Sequence, residues 1–320
     1  MSFLIFAIIA SVCVSIFLKM VRGYQWDIAQ AILVNYTTAL CLCFWLLKPD
    51  FSKGVMTTGQ GLGIVMALGL LLPSVFIIMA KAVQIAGIVK SDAAQRLALF
   101  LPILAAFVLF GEMITLPKVL GVLLAFVALI CLVYKPSDDN EDNITENDIT
   151  QIKNINNNQR VLLFNHVKLN QELSQTHASA LILLGVWLGY GVIDILFKQM
   201  SKQGNAFSGT LFISFGLAWC VMLIYLLINK TKWHGKSLIS GILLGVLNFF
   251  NILFYIKAHQ SFKDDPTLVF AGMNIGVISL GAVVGLIIFK EKLTKINLIG
   301  IVIGMIAIGC LFYLDKLLIM

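Results

Sequence analysis

Charge is scarce in this sequence. Lys, Arg, Asp and Glu make up 12% of its 320 residues, against about a quarter in a water-soluble domain. The shortage excludes a chain whose main solvent is water. Histidine is scarce too. The four present are scattered and match no metal-ligand spacing, so neither a metal nor a cofactor is expected. There is no HExxH, no pair of intramembrane aspartates and no nucleophile elbow. An enzyme is therefore not expected. No ATP-binding P-loop occurs either. All six cysteines (Cys13, Cys41, Cys43, Cys131, Cys220, Cys310) fall inside apolar runs, where they serve as small apolar residues and not as a disulfide framework.

What is abundant is apolar surface. Hydrophobic residues reach 59%, and the mean hydropathy is +0.94. A bilayer needs about 20 apolar residues per helical span, and backbone groups in lipid must be satisfied within the segment. The runs are apolar all round, unlike barrel strands, which alternate. Ten spans are expected, at roughly 3–19, 28–47, 60–81, 91–110, 116–134, 179–198, 206–228, 237–257, 267–289 and 295–314. The first lacks a basic start and a clear small-x-small cleavage site, so it belongs to the mature chain. The net charge of +7 is carried singly or in small groups, mostly at span ends. That distribution anchors lipid head groups. The bilayer, and not nucleic acid, is the expected partner.

The sequence repeats itself. Residues 108–115 read VLFGEMIT, and 287–294 read IIFKEKLT. Phe110, Glu112 and Thr115 recur as Phe289, Glu291 and Thr294. Gly121 and Tyr134 likewise match Gly300 and Tyr313. KAVQ (81–84) matches KAHQ (257–260), and Cys41 matches Cys220. The offset is 179 residues early and late and 176 in the middle, which is one duplication with small loop changes. Matched Lys, Gln, Glu and Thr are not explained by chance likeness between apolar helices. The expected organisation is a first five-helix repeat at 1–134, a linker at 135–178 and a second five-helix repeat at 179–320. An odd number of spans per half inverts the second half, as in many secondary transporters. The fold class is thus an all-α polytopic membrane protein of ten transmembrane helices in two inverted repeats. The linker holds seven acids and nine asparagines, a composition that reads as solvated and largely disordered. Its segment RVLLFNHVKL (160–169) is the apolar exception.

Two five-helix halves, each ending in F-x-E-x-x-T followed by a glycine-bearing final helix, resemble the EamA-like branch of the drug/metabolite transporter superfamily. The likeness covers all ten spans but not the linker. Pro102 fits the proline that members often carry in the fourth helix, whereas Gly281 stands at the equivalent place in the second half. The resemblance implies a carrier of small metabolites such as amino acids, often an exporter, with both termini in the cytoplasm. It leaves the particular cargo open. Charge bias does not fix the orientation. With the N-terminus inside, eight of the 23 basic residues fall inside and fifteen outside. Without the linker and Arg96 the split is eight against ten.

In the hairpin motif, Thr115 and Thr294 are placed to cap the following helices, and Glu112 and Glu291 meet the positive end of a helix dipole. The motif therefore fixes a hairpin in each half or gates a path at its two mouths. Polar side chains deep in a span are functional candidates. Asn248, Asn251, Tyr255 and His259 form one helical stripe, opposite apolar counterparts Leu72, Val75, Met79 and Val83. They line a substrate path or hold helices together. Asn35 and Asn274 carry the same two readings. Arg96 can hold an anionic group on the cargo, pair with Asp92 or snorkel. Asp194, the acid well inside a span, can carry a coupling proton or pair with Lys198. Glycines four apart (Gly185/Gly189, Gly241/Gly245, Gly272/Gly276, Gly281/Gly285, Gly300/Gly304) suit close helix packing. The functional expectation is a secondary transporter working by alternating access without ATP, as a monomer or homodimer in the bacterial inner membrane. The alternative is a non-transporting scaffold or sensor, which would need no polar path.

Overall fold

The computed structural model describes residues 1–22, 28–49, 59–133, 157–231, 233–288 and 294–311. Among these the regular structure is helical throughout. The first half contains α1 (Ser2–Arg22), α2 (Ile28–Leu42), α3 (Gly59–Ala86), α4 (Ile88–Leu97), α5 (Phe100–Val108) and α6 (Leu116–Val133). The second contains α7 (Asn157–Ser201), α8 (Phe207–Ile228), α9 (Gly235–Ser261), α10 (Pro266–Ile288) and α11 (Lys295–Gly309). Among the described residues seven stretches are long and apolar enough to cross a membrane; α4 and α5 together form one of them. Three further apolar helices, at Ser2–Phe17, Leu116–Cys131 and Lys295–Gly309, are shorter. Leu104, Val108, Ile130, Leu181, Ile239 and Met305 are all exposed. So much bare apolar surface suits lipid and not water. The protein is an integral membrane protein.

The linker expectation needs correction. Residues 157–178 are helical and continue into the sixth span as part of α7. No proline or glycine interrupts the chain between 157 and 184, so nothing breaks the helix there. Residues 134–156 lie outside the described residues, as does Glu291.

The fourth span is broken for a local reason. Pro102 lacks an N–H, and its ring crowds the carbonyl four residues back, that of Ala98. The ladder tightens there: the Leu99 and Leu101 amides donate to the Arg96 and Ala98 carbonyls. The Leu97 carbonyl accepts instead from Trp187 Nε1 at 3.0 Å. An indole of α7 thus satisfies a group that the break sets free.

Small residues bring the two halves close. A Cβ built on Gly245 would lie 2.6 Å from Thr38 Cβ and 2.8 Å from the Asn35 carbonyl oxygen. Gly241 meets Ala31 and Val34 in the same way, so α2 and α9 run parallel in contact. Val75 packs on Gly189 and Ile78 on Gly185, so α3 runs against α7. Trp219 donates to Thr37 and Cys43 to the Ser208 carbonyl, so α8 runs against α2. Phe197 meets Tyr255 edge to face, and Gln260 reaches the Ser201 carbonyl, so α7 and α9 run together. At the periphery α6 and α11 run against each other, with Gly121 on Leu311 and Asn297 bonded to the Cys131 carbonyl. The main core joins Tyr36, Leu68, Leu99, Phe215, Phe249 and Phe270 across both halves.

Candidate functional site

A cavity of about 170 Å³ lies between these helices. Its walls come from α1, α3, α4, α7, α9 and α10. Six residues expected from the sequence line it together: Arg96, Asp194, Asn248, Asn251, Tyr255 and Asn274. The apolar part of the wall includes Leu72, Val75, Phe76, Phe197 and Met273. A mostly apolar chamber with a few convergent polar groups is the usual form of a small-molecule site.

Arg96 stands one residue before the last of α4, just ahead of the break that Pro102 causes. Its Nη2 lies 3.5 Å from Asp92 Oδ1, and its Nε is buried with no hydrogen-bond partner within the protein. Asp92 is half exposed, so this pair leaves much of the guanidinium fork uncommitted. Asp194 brings the opposite charge from α7. Lys198, one turn on, donates instead to the Lys263 carbonyl at 2.8 Å. No ion pair joins it to Asp194 among the described residues.

The asparagines divide. Asn248 Nδ2 donates to Asn35 Oδ1 at 3.2 Å, which ties α9 to α2. Asn35 therefore acts behind the wall, not on it. Asn274 Nδ2 donates to the Phe270 carbonyl of its own helix at 3.2 Å. Asn251 Oδ1 and the Tyr255 hydroxyl are buried without a partner of hydrogen-bond geometry. His259 does not reach the cavity. It is wholly buried between Tyr255 and Phe270, with ring centroids 4.8 and 4.7 Å away. Ser11, Gln95 and Tyr190 also line the chamber and were missed in the sequence. Tyr190 lies one turn before Asp194 and Gln95 adjoins Arg96, which were the available signals.

Glu112 sits at one end of the bundle, nearly fully buried. Its Oε2 accepts from the Thr267 amide at 2.9 Å and from the Thr267 hydroxyl at 2.6 Å. It thereby caps α10, a helix of the other half, and faces that helix's positive dipole end. Its Oε1 lies 3.0 Å from Lys118 Nζ, which also bonds Asp265 at 2.8 Å. Gly111, at φ +68°, turns the chain so that the carboxylate points inward. The Thr115 hydroxyl accepts from the Lys118 amide at 3.4 Å at the start of α6. Thr294 and Asn297 form a reciprocal capping box at the start of α11.

Fold and cavity together define a polytopic helical membrane protein with a polar chamber among its helices. No protein-family model matches the chain. It belongs to the same family as an uncharacterized protein of Haemophilus influenzae, which is 53% identical over 319 residues, 98% of each chain. A solved crystal structure shares the fold over 99% of this chain and 97% of its own, with a TM-score of 0.67 and 11% identity.

Proposed function

We propose that the protein is a secondary carrier for a small zwitterionic metabolite, such as an amino acid, and that it works by alternating access. The observation that carries this reading is the cavity, where Arg96 from one half and Asp194 from the other bring opposite charges into one apolar chamber. A guanidinium fork suits a carboxylate, and a carboxylate with neighbouring aromatic rings suits an ammonium. Direction supports the ten-helix inverted repeat. Of the pairs that the duplication equates, α2 and α8 run in opposite senses, as do α6 and α11, and α3 and α9 run in opposite senses beside α7. The break in the fourth span beside Arg96 fits the discontinuous helices of such carriers. The EamA-like resemblance and a bacterial inner-membrane location belong to the same proposal. A scaffold or sensor would be better served by a packed apolar centre.

Counterflow in proteoliposomes against a panel of amino acids tests the proposal. Arg96→Ala should abolish exchange of acidic and zwitterionic cargo while leaving thermal stability intact, and Arg96→Lys should restore only part. Unchanged exchange in Arg96→Ala would remove the guanidinium from the binding role.

A further inference from the structure

Titratable side chains run from the cavity toward the Glu112 end of the bundle on two neighbouring helices. Asp194 and Lys198 are one turn apart on α7, and Tyr255 and His259 one turn apart on α9. Asp194 and Tyr255 line the cavity, with the Tyr255 hydroxyl facing the Asp194 carboxylate. On the next turn His259 is 0% exposed, and neither of its ring nitrogens has a hydrogen-bond partner. Lys198 lies near it, 1% exposed, with its ammonium held by the Lys263 carbonyl. Lys202, Glu112, Asp264 and Asp265 surround Lys198 in turn. The other helices bring little charge to His259. Neither α2 nor α10 carries a charged residue, and Lys257 and Lys236 are those of α9. On α1 the charged residues are Lys19 and Arg22, at its C-terminal end. The opposite end of α1 holds Phe3 and Phe6, which pack on Phe254.

An imidazole buried with both nitrogens unbonded carries a desolvation cost that nothing in the protein offsets. An apolar ring would fill the slot between Tyr255 and Phe270 without that cost, and the first half uses Val83 at the equivalent position. What imidazole adds is the ability to take a proton at one nitrogen and release one from the other.

We propose that His259 is a proton relay between Asp194 in the cavity and the carboxylates of Asp264 and Asp265 at the bundle end. The proposal rests on the carrier reading and names its coupling ion. In the step, the Asp194 carboxyl group gives its proton toward one ring nitrogen past Tyr255. The other nitrogen releases its proton toward the aspartates, and the ring returns to neutral. No electrons change hands.

Proteoliposomes containing pyranine and a valinomycin-imposed potassium potential read proton entry directly. They are assayed without and with a mixture of the twenty amino acids. Wild-type vesicles should take up protons severalfold faster than protein-free vesicles in at least one condition. His259→Phe keeps the edge-to-face ring contacts and removes both nitrogens, so it should fall to the protein-free rate, as should Asp194→Asn. His259→Gln serves if the phenyl variant fails to reconstitute. Wild-type entry no faster than in protein-free vesicles, or undiminished entry in His259→Phe, would overturn the relay. Amino-acid counterflow in the same vesicles reports on the carrier separately. Exchange that survives in His259→Phe while proton entry is lost supports both proposals. Proton entry without any exchange in wild type would sink the carrier and keep the path. Exchange without proton entry would do the reverse.

Discussion

Glu112 illustrates what a single residue carries beyond its local motif. Its sequence neighbours announce a turn followed by a capped helix, and Thr115 indeed meets the Lys118 amide. The carboxylate itself spans 155 positions of sequence to reach Thr267. That reach was not legible, because a capping box advertises itself by spacing whereas a cap supplied from another half does not. Arg96, Asp194 and the stripe on α9 were legible because a polar group in hydrocarbon needs a reason to be there. His259 was legible as polar, but its place behind the cavity wall was not, since helical spacing fixes a face but not depth. Removing the Glu112 carboxylate leaves the buried Thr267 amide without its acceptor and takes one of two carboxylate partners from the Lys118 ammonium. Glu112→Ala should therefore cost about 3 kcal/mol, the low end for breaking a buried pair, since Asp265 still holds Lys118. Glu112→Gln keeps an acceptor for Thr267 and should cost roughly half as much. Thermal unfolding in detergent ranks the two; equal losses would mean that the bonds to Thr267 contribute nothing.

At the scale of helices, position was easy to read and contact was not. For the seven stretches long enough to cross a membrane, the boundaries read from runs of apolar residues agree to within five positions, because backbone in lipid has no alternative to helix. The extension of α7 back to Asn157 was not legible, because an asparagine-rich segment reads as solvated chain and the absence of a helix breaker is a weak signal beside that. The glycine pairs named close approach without naming the partner. Gly241 and Gly245 face α2, whereas a Cβ on Gly281 would meet nothing within 4 Å. The three glycines should therefore separate on substitution. Gly245→Ala forces a methyl group against α2 backbone and should cost about 1–3 kcal/mol as overpacking. Gly281→Ala has room and should gain up to about 1 kcal/mol from helix entropy. Melting temperatures measured side by side decide this, and a Gly245→Ala variant as stable as wild type would show that the α2–α9 contact can yield.

For the whole molecule, the duplication makes a demand that no single helix makes. The turn at Gly87, between α3 and α4, and the turn before Pro266, between α9 and α10, occupy equivalent places in the two halves. If the halves are inverted, these turns lie at opposite membrane faces. The helix directions argue for it. α9 ends beside Ser201 at the end of α7, whereas α3 runs against α7, with Val75 on Gly189 and Ile78 on Gly185, and so ends toward the N-terminal side of the sixth span. Lys90 and Lys263 are exposed next to the two turns, which makes them suitable reporters. In a protein with the six native cysteines replaced by alanine or serine, Lys90→Cys and Lys263→Cys should be labelled by a membrane-impermeant maleimide from opposite sides of oriented vesicles. Lys202→Cys, in the turn after α7, should label from the same side as Lys263→Cys, because Lys202 and Lys263 flank the same buried Lys198. Labelling of positions 90 and 263 from one side would mean that the halves are parallel. The sequence repeat would then stand, but the cavity would no longer lie between two inverted walls, and rocking one half against the other could not expose it alternately to the two faces.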